Sequence, residues 1–154
     1  MKKLLLIFFL FEFIFLNNCS KNEKIEIVKV QEDQIENQMI RAYQDGMAAF
    51  ENELYIEAAK KFNEAEILFP QSEWAPRSAL MAAYAYYYDD YNNRAISELN
   101  NFFKKYPNNK NTSYAHYLLA MSYYNKIVDE KKDLEPLKNS KKQFEYIVEN
   151  YPNT

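Results

Sequence analysis

One glycine, Gly46, serves all 154 residues of this chain. Tight β-hairpins and bulges need residues at positive φ, and dinucleotide-binding loops need backbone that comes close to a phosphate without a Cβ in the way. A chain with one glycine is therefore barred from Rossmann and P-loop folds and from many-stranded β architectures. What remains is an all-helical chain. Its apolar fraction of 48% is enough to build a core and too high for wholesale disorder, and 14 of its residues are tyrosine. The 19 basic residues are outweighed by 22 acidic ones and never run beyond two in a row, so nucleic acid is not an expected partner. A single cysteine excludes an internal disulfide and any zinc site built on several thiolates.

The helices are marked by three aromatic-proline pairs, Phe69-Pro70, Tyr106-Pro107 and Tyr151-Pro152. Twelve residues before each proline stand Ala58, Ala95 and Ser140; eight before stand Phe62, Leu99 and Phe144; five before stand Ala65, Phe102 and Ile147. Offsets of four and three put each set on one stripe of a helix, which the proline then ends. A second type of helix carries Ala83 and Ala120, each 13 residues after a proline, and Gly46 fills the equivalent slot of the first unit. The pattern small–x₁₁–Ala–x₃–Phe–x₇–Pro resembles the tetratricopeptide repeat, in which small residues let two antiparallel helices touch. The expected helices span about 34–51, 55–68, 73–89, 92–105, 111–127 and 135–150, grouped in units of about 34–72, 73–109 and 110–154. The fold class is an all-α tetratricopeptide-repeat superhelix of three antiparallel helix pairs.

The N-terminus carries a different message. Met1-Lys2-Lys3 precedes an apolar run from Leu4 to Leu16, interrupted only by Glu12, and then a polar break. This is the layout of a secretory signal peptide, too short for a membrane-spanning helix. The break, Leu16-Asn17-Asn18-Cys19-Ser20, resembles a bacterial lipobox. That resemblance implies removal of residues 1–18, a covalent lipid on Cys19, and sorting to the outer membrane, since Ser20 rather than Asp follows the cysteine. Residues 19–33 read as a flexible tether.

Taken together, three features resemble the BamD family of outer-membrane assembly lipoproteins. They are the lipobox and tether, the first pair with Tyr43-Gln44-Asp45-Gly46 and Tyr55-x₂-Ala58-Ala59, and the run Ala83-Tyr84-Ala85-Tyr86-Tyr87-Tyr88 followed by Arg94-Ala95-Ile96 and Phe102 to Pro107. The resemblance implies a non-enzymatic scaffold on the periplasmic face of the outer membrane that assists insertion of β-barrel proteins. Its implied partners are the barrel-assembly subunit, other assembly lipoproteins and unfolded outer-membrane protein segments. No cofactor is implied beyond the lipid on Cys19. The family carries more repeats than the three read here, and the chain stops at Tyr151-Pro152-Asn153-Thr154 without a polar capping helix, so a truncated protein is the expectation. The alternative is another periplasmic tetratricopeptide lipoprotein, serving cell-envelope or pilus assembly.

In such an array the first helix of each pair lines the concave face. Registered on Gly46, Ala83 and Ala120, that face carries Ile40, Tyr43, Met47 and Phe50, then Arg77, Leu80, Tyr84, Tyr87 and Tyr88, then Tyr114, Tyr117, Met121 and Tyr124. Tyr43, Met47, Tyr84, Tyr87, Tyr114, Tyr117, Met121 and Tyr124 are the candidate peptide-binding residues. Tyrosine buries area at low entropic cost and keeps a polar tip, and methionine adapts to varied sequences. About half of these side chains are expected to pack between helices instead. Enzymatic chemistry lacks its parts: His116 is the sole histidine, and the acidic pairs Asp89-Asp90 and Asp129-Glu130 fall at helix ends or loops without metal-ligand spacing. Trp74, with Pro76 behind it, reads as a packing anchor at a helix start.

Overall fold

The computed structural model describes residues 22–128 and 133–153 of the chain. They form six helices: α1 (Asn22–Glu51), α2 (Tyr55–Leu68), α3 (Trp74–Tyr88), α4 (Asn92–Lys105), α5 (Thr112–Tyr124) and α6 (Glu135–Asn150). The described residues from Ile35 onward form one compact unit, and those up to Gln34 belong to another. The expected signal peptide and Cys19 lie outside the described residues. The expected tether needs correction, because α1 starts at Asn22, so residues 22–33 are helical. No glycine or proline interrupts this stretch, and its Glu, Lys and Gln residues are good helix formers, so nothing stops the helix short of Asn22. None of the helices among the described residues is long and apolar enough to cross a membrane.

The prolines end their helices as the spacing predicts. α2, α4 and α6 stop at Leu68, Lys105 and Asn150, and the residue before each proline leaves the helical region (Phe69 φ −140°, Tyr106 φ −129°, Tyr151 φ −133°). The turns inside the first two pairs solve a problem set by the missing glycines. A Schellman end needs a left-handed residue, usually glycine. Here Glu53 (φ 61°) and Asp90 (φ 56°) take that conformation. Their neighbours close the motif, with Leu54 N–H donating to Ala49 O and Tyr91 N–H to Tyr86 O, each at 2.9 Å. Glu53 and Asp90 are 37 residues apart, one repeat, so the turn is itself part of the repeat.

The core follows the small-residue slots. Ala58, Ala83, Ala95 and Ala120 are fully buried, as are Phe62, Leu99 and Ala65. Gly46 lies in α1 against the ring of Phe62: a Cβ placed on it would sit 2.8 Å from Phe62 Cδ1 and Cε1. Ser140 holds the alanine slot of the third pair, and its hydroxyl donates to Ala120 O at 3.0 Å, tying α6 to α5. The junction between the first and second pairs has its own polar pin. Glu66, buried on α2, accepts through Oε1 from Lys105 Nζ (2.9 Å) and Tyr106 Oη (2.8 Å) at the end of α4. Burial, followed by the bond to Glu66, pushes the Tyr106 hydroxyl well above its ordinary value, so it stays a donor. Burial, and then the Glu66 carboxylate, raises the nearby Glu98 as well.

Candidate functional site

The helix starts and turns that set the pairs also line up aromatic side chains from different repeats. Phe50, at the end of α1, stacks on Tyr84 of α3 (ring centroids 5.5 Å, 17° between planes) and meets Tyr88 edge-on at 5.4 Å. Tyr55, the first residue of α2, closes the group against Phe50 at 5.0 Å and Tyr88 at 5.5 Å. From Tyr84 the series continues to Tyr114 of α5 (6.5 Å), to Tyr117 (6.2 Å) and to Phe144 of α6 (6.4 Å). The result is a continuous aromatic stripe that crosses all three helix pairs. Tyr88, Tyr114 and Tyr117 are 50%, 43% and 46% exposed, so its rings are anchored from beneath and open to a partner on one side.

At its α5–α6 end the stripe opens into an apolar cavity of about 390 Å³ lined by Tyr114, Tyr117, Phe144, Ile147 and Val148. Phe144 and Ile147 occupy the slots that Phe62 and Ala65 fill in the first pair, where they are fully buried. In the third pair no further helix packs on these slots among the described residues, and Val148 beside them is 72% exposed.

Two hydroxyls of the stripe are shifted by their neighbours. Hydrogen bonding to Tyr88, then burial and the Tyr114 hydroxyl, push Tyr84 far above the ordinary tyrosine value; burial and then Tyr117 push Tyr114 up. The rings of the stripe are apolar on their faces, and their hydroxyl tips can donate hydrogen bonds.

Of the eight candidate binding residues, Tyr84, Tyr114 and Tyr117 belong to the stripe, and Tyr87 touches it through Tyr88 at 6.3 Å. Tyr43 stands elsewhere, packed between Phe62 (5.3 Å) and Trp74 (5.2 Å). Met47 packs against the core formed by Ala58, Ala59 and Phe62. Met121 is half-buried, and Tyr124 is 57% exposed and outside the chain of ring contacts. Leu80, placed on the face by registration, is a core residue, and Ile40 packs on Met39 and Ala65. Tyr55 and Phe144 escaped the sequence reading because it admitted only the first helix of each pair. Their signal was present in the aromatic residues at the start of α2 and at the slot eight residues before Pro152.

His116 is a packing residue. Its ring lies between Phe103 (4.2 Å) and Tyr146 (4.3 Å), and its Nδ1–H donates to Gln143 Oε1 at 2.8 Å. Burial lowers its pKa, outweighing the opposite effect of the bond to Gln143, and so favours the neutral ring. Trp74 anchors Tyr43 with one edge while Arg77 covers its ring, guanidinium carbon to centroid 5.4 Å. Among the described residues no cluster of His, Cys, Asp and Glu could hold a metal ion.

A family model described as "Outer membrane lipoprotein" (YfiO) matches residues 35–154, the span of the helix pairs. Curated relatives named "Outer membrane protein assembly factor BamD" are similar over much of this chain. The protein from Caulobacter vibrioides is 35% identical over 112 residues, covering 73% of this chain and 37% of its own length. That from Rickettsia prowazekii is 33% identical over 112 residues (73% and 45%), and that from Neisseria meningitidis serogroup B 29% over 124 residues (74% and 46%). The chain thus spans less than half the length of these relatives. With its helix pairs matched from residue 35 to residue 154, the chain belongs to the YfiO family of outer membrane lipoproteins.

Proposed function

We propose that this protein is a non-enzymatic scaffold at the outer membrane that binds unfolded segments of β-barrel proteins during their assembly and insertion. The observation that carries this reading is the aromatic stripe from Phe50 through Tyr84, Tyr114 and Tyr117 to Phe144. A strand destined for a barrel wall alternates apolar and polar side chains. Such a segment can lay its apolar side chains on the ring faces and pair its backbone with the hydroxyl tips. The name of the relatives, an assembly factor for outer membrane proteins, supports the same reading over the cell-envelope or pilus alternative. The other partners in this reading are the barrel-assembly subunit and its companion lipoproteins. The membrane attachment is a lipid on Cys19 at the periplasmic face.

Binding of a fluorescent peptide with an aromatic-rich, strand-like end tests the stripe. Tyr114→Ala with Tyr117→Ala is expected to weaken binding by about tenfold or more, since each exposed aromatic anchor contributes about 1 kcal/mol. Tyr124→Ala, outside the ring contacts, is expected to have little effect. Equal affinity in wild type and the double variant would sink the stripe as a binding surface. For the anchor, cells fed an alkyne fatty acid are expected to label the wild-type chain and not Cys19→Ala, and equal labelling of both excludes lipidation at that residue.

A further inference from the structure

A second concave feature shares no residue with the aromatic stripe. It lies where the start of α3 meets the link between α4 and α5, a cavity of about 710 Å³ lined by Trp74, Arg77, Asn108, Asn109, Lys110 and Asn111, with Glu73 also in its wall. That volume falls within the range of about 300–1,000 Å³ usual for ligand sites. We propose that this cavity binds an acidic peptide segment, with carboxylates held by Arg77 and Lys110.

Three observations converge on that ligand. The first is uncompensated charge: the wall carries two cations and one anion, and neither Arg77 nor Lys110 enters an ion pair among the described residues. Across the whole chain acidic residues outnumber basic ones, so a net-positive wall has the opposite sign to the chain as a whole.

The second is preorganisation. Arg77 lies over the Trp74 ring, which in turn packs on Tyr43, so the planar group is held while its N–H edge remains free to donate. A guanidinium held in this way matches a carboxylate with two parallel hydrogen bonds. The facing link is fixed as well. Asn109 Oδ1 accepts from Asn111 N–H at 2.9 Å, and Asn109 O accepts from Thr112 N–H at 3.1 Å.

The third is the remaining lining. The amides of Asn108 and Asn111 can both donate to and accept from peptide groups, and the Trp74 ring offers an apolar surface. Glu73 repels a dense polyanion, which favours spaced carboxylates on a peptide over a phosphate or a nucleic acid.

Trp74 is the only tryptophan in the chain, so its fluorescence reports this cavity directly. The experiment titrates the full chain in neutral detergent with a blocked six-residue peptide containing two aspartates and a glutamate. Its Asn/Gln counterpart and sodium phosphate are titrated in parallel. A saturable change in emission is expected for the acidic peptide, weakening as salt is raised. Loss of the charges, either in the Asn/Gln peptide or in Arg77→Gln with Lys110→Gln, is expected to weaken binding at least about tenfold, as befits charge-assisted bonds. The Asn/Gln peptide leaves the protein unaltered and so reads the charge requirement independently of any folding defect. No saturable change, equal binding of the neutral peptide, or equal binding of phosphate would each overturn the proposal. Tyr114→Ala with Tyr117→Ala is expected to leave this titration unchanged, which separates failure here from failure of the aromatic stripe.

Discussion

Truncating Phe62 to alanine is expected to destabilise the helix-pair unit by about 3–5 kcal/mol, enough to abolish most of the stability of an ordinary domain. The ring is fully buried, with Gly46 against it, Tyr43 tilted onto it at 5.3 Å, and the α3 residues Ala82 and Ala85 in the same cluster. Removing it leaves a cavity bounded by three helices, and rigid helix backbones cannot collapse to fill that space. The repeat-equivalent Phe144 gives the control. Phe144 sits in the same slot of the third pair but is only half-buried at the edge of an open cavity. Phe144→Ala is therefore expected to cost about 1–2 kcal/mol, the transfer term with little cavity term. Urea unfolding followed by circular dichroism checks both values. Equal losses at the two positions would show that Phe62 is not the centre of a closed core.

That contrast also marks what sequence can and cannot reveal. Helix boundaries were legible because the chemistry that sets them is local. An aromatic-proline pair forces the residue before proline out of the helix wherever it occurs, and the small-residue slots report a contact within one pair. The stripe was half legible for a related reason. Spacing gives the side of a helix on which a residue stands, but not which neighbour fills that side. Tyr43 and Tyr117 share a register in the first helices of the first and third pairs, yet Tyr43 is taken up by Phe62 and Trp74 while Tyr117 meets Tyr114 and Phe144. The Glu66–Lys105–Tyr106 pin was not legible at all. Its partners lie 39 and 40 residues apart, and no local pattern says that a glutamate beside Ala65 is covered by the next pair. The start of α1 was missed because residues 22–33 have no apolar stripe to announce a helix, only an absence of breakers.

The sole glycine sets the second large effect. Gly46→Ala would ordinarily stabilise a helix, by about 1 kcal/mol, because alanine loses less backbone entropy. Here the opposite is expected. The backbone of Gly46 is ordinary helix with no positive φ, so conformational freedom is not why glycine is present. Space is the reason: the added methyl carbon would lie 2.8 Å from two Phe62 ring carbons and 3.2 Å from a third. Phe62 cannot swing away, being fully buried, so α1 and α2 must separate or the ring must leave its rotamer, an overpacking cost of about 1–3 kcal/mol. The net expectation is a loss of up to about 2 kcal/mol once the propensity gain is subtracted. A double-mutant cycle identifies the cause. Phe62→Leu alone leaves room beside Gly46, and Gly46→Ala placed in that background can fill it. The coupling is expected to be favourable by about 1 kcal/mol or more, with the double variant more stable than the sum of the single changes. Additive losses would mean that the glycine answers to something other than the Phe62 ring, and the close approach of α1 and α2 would then need another explanation.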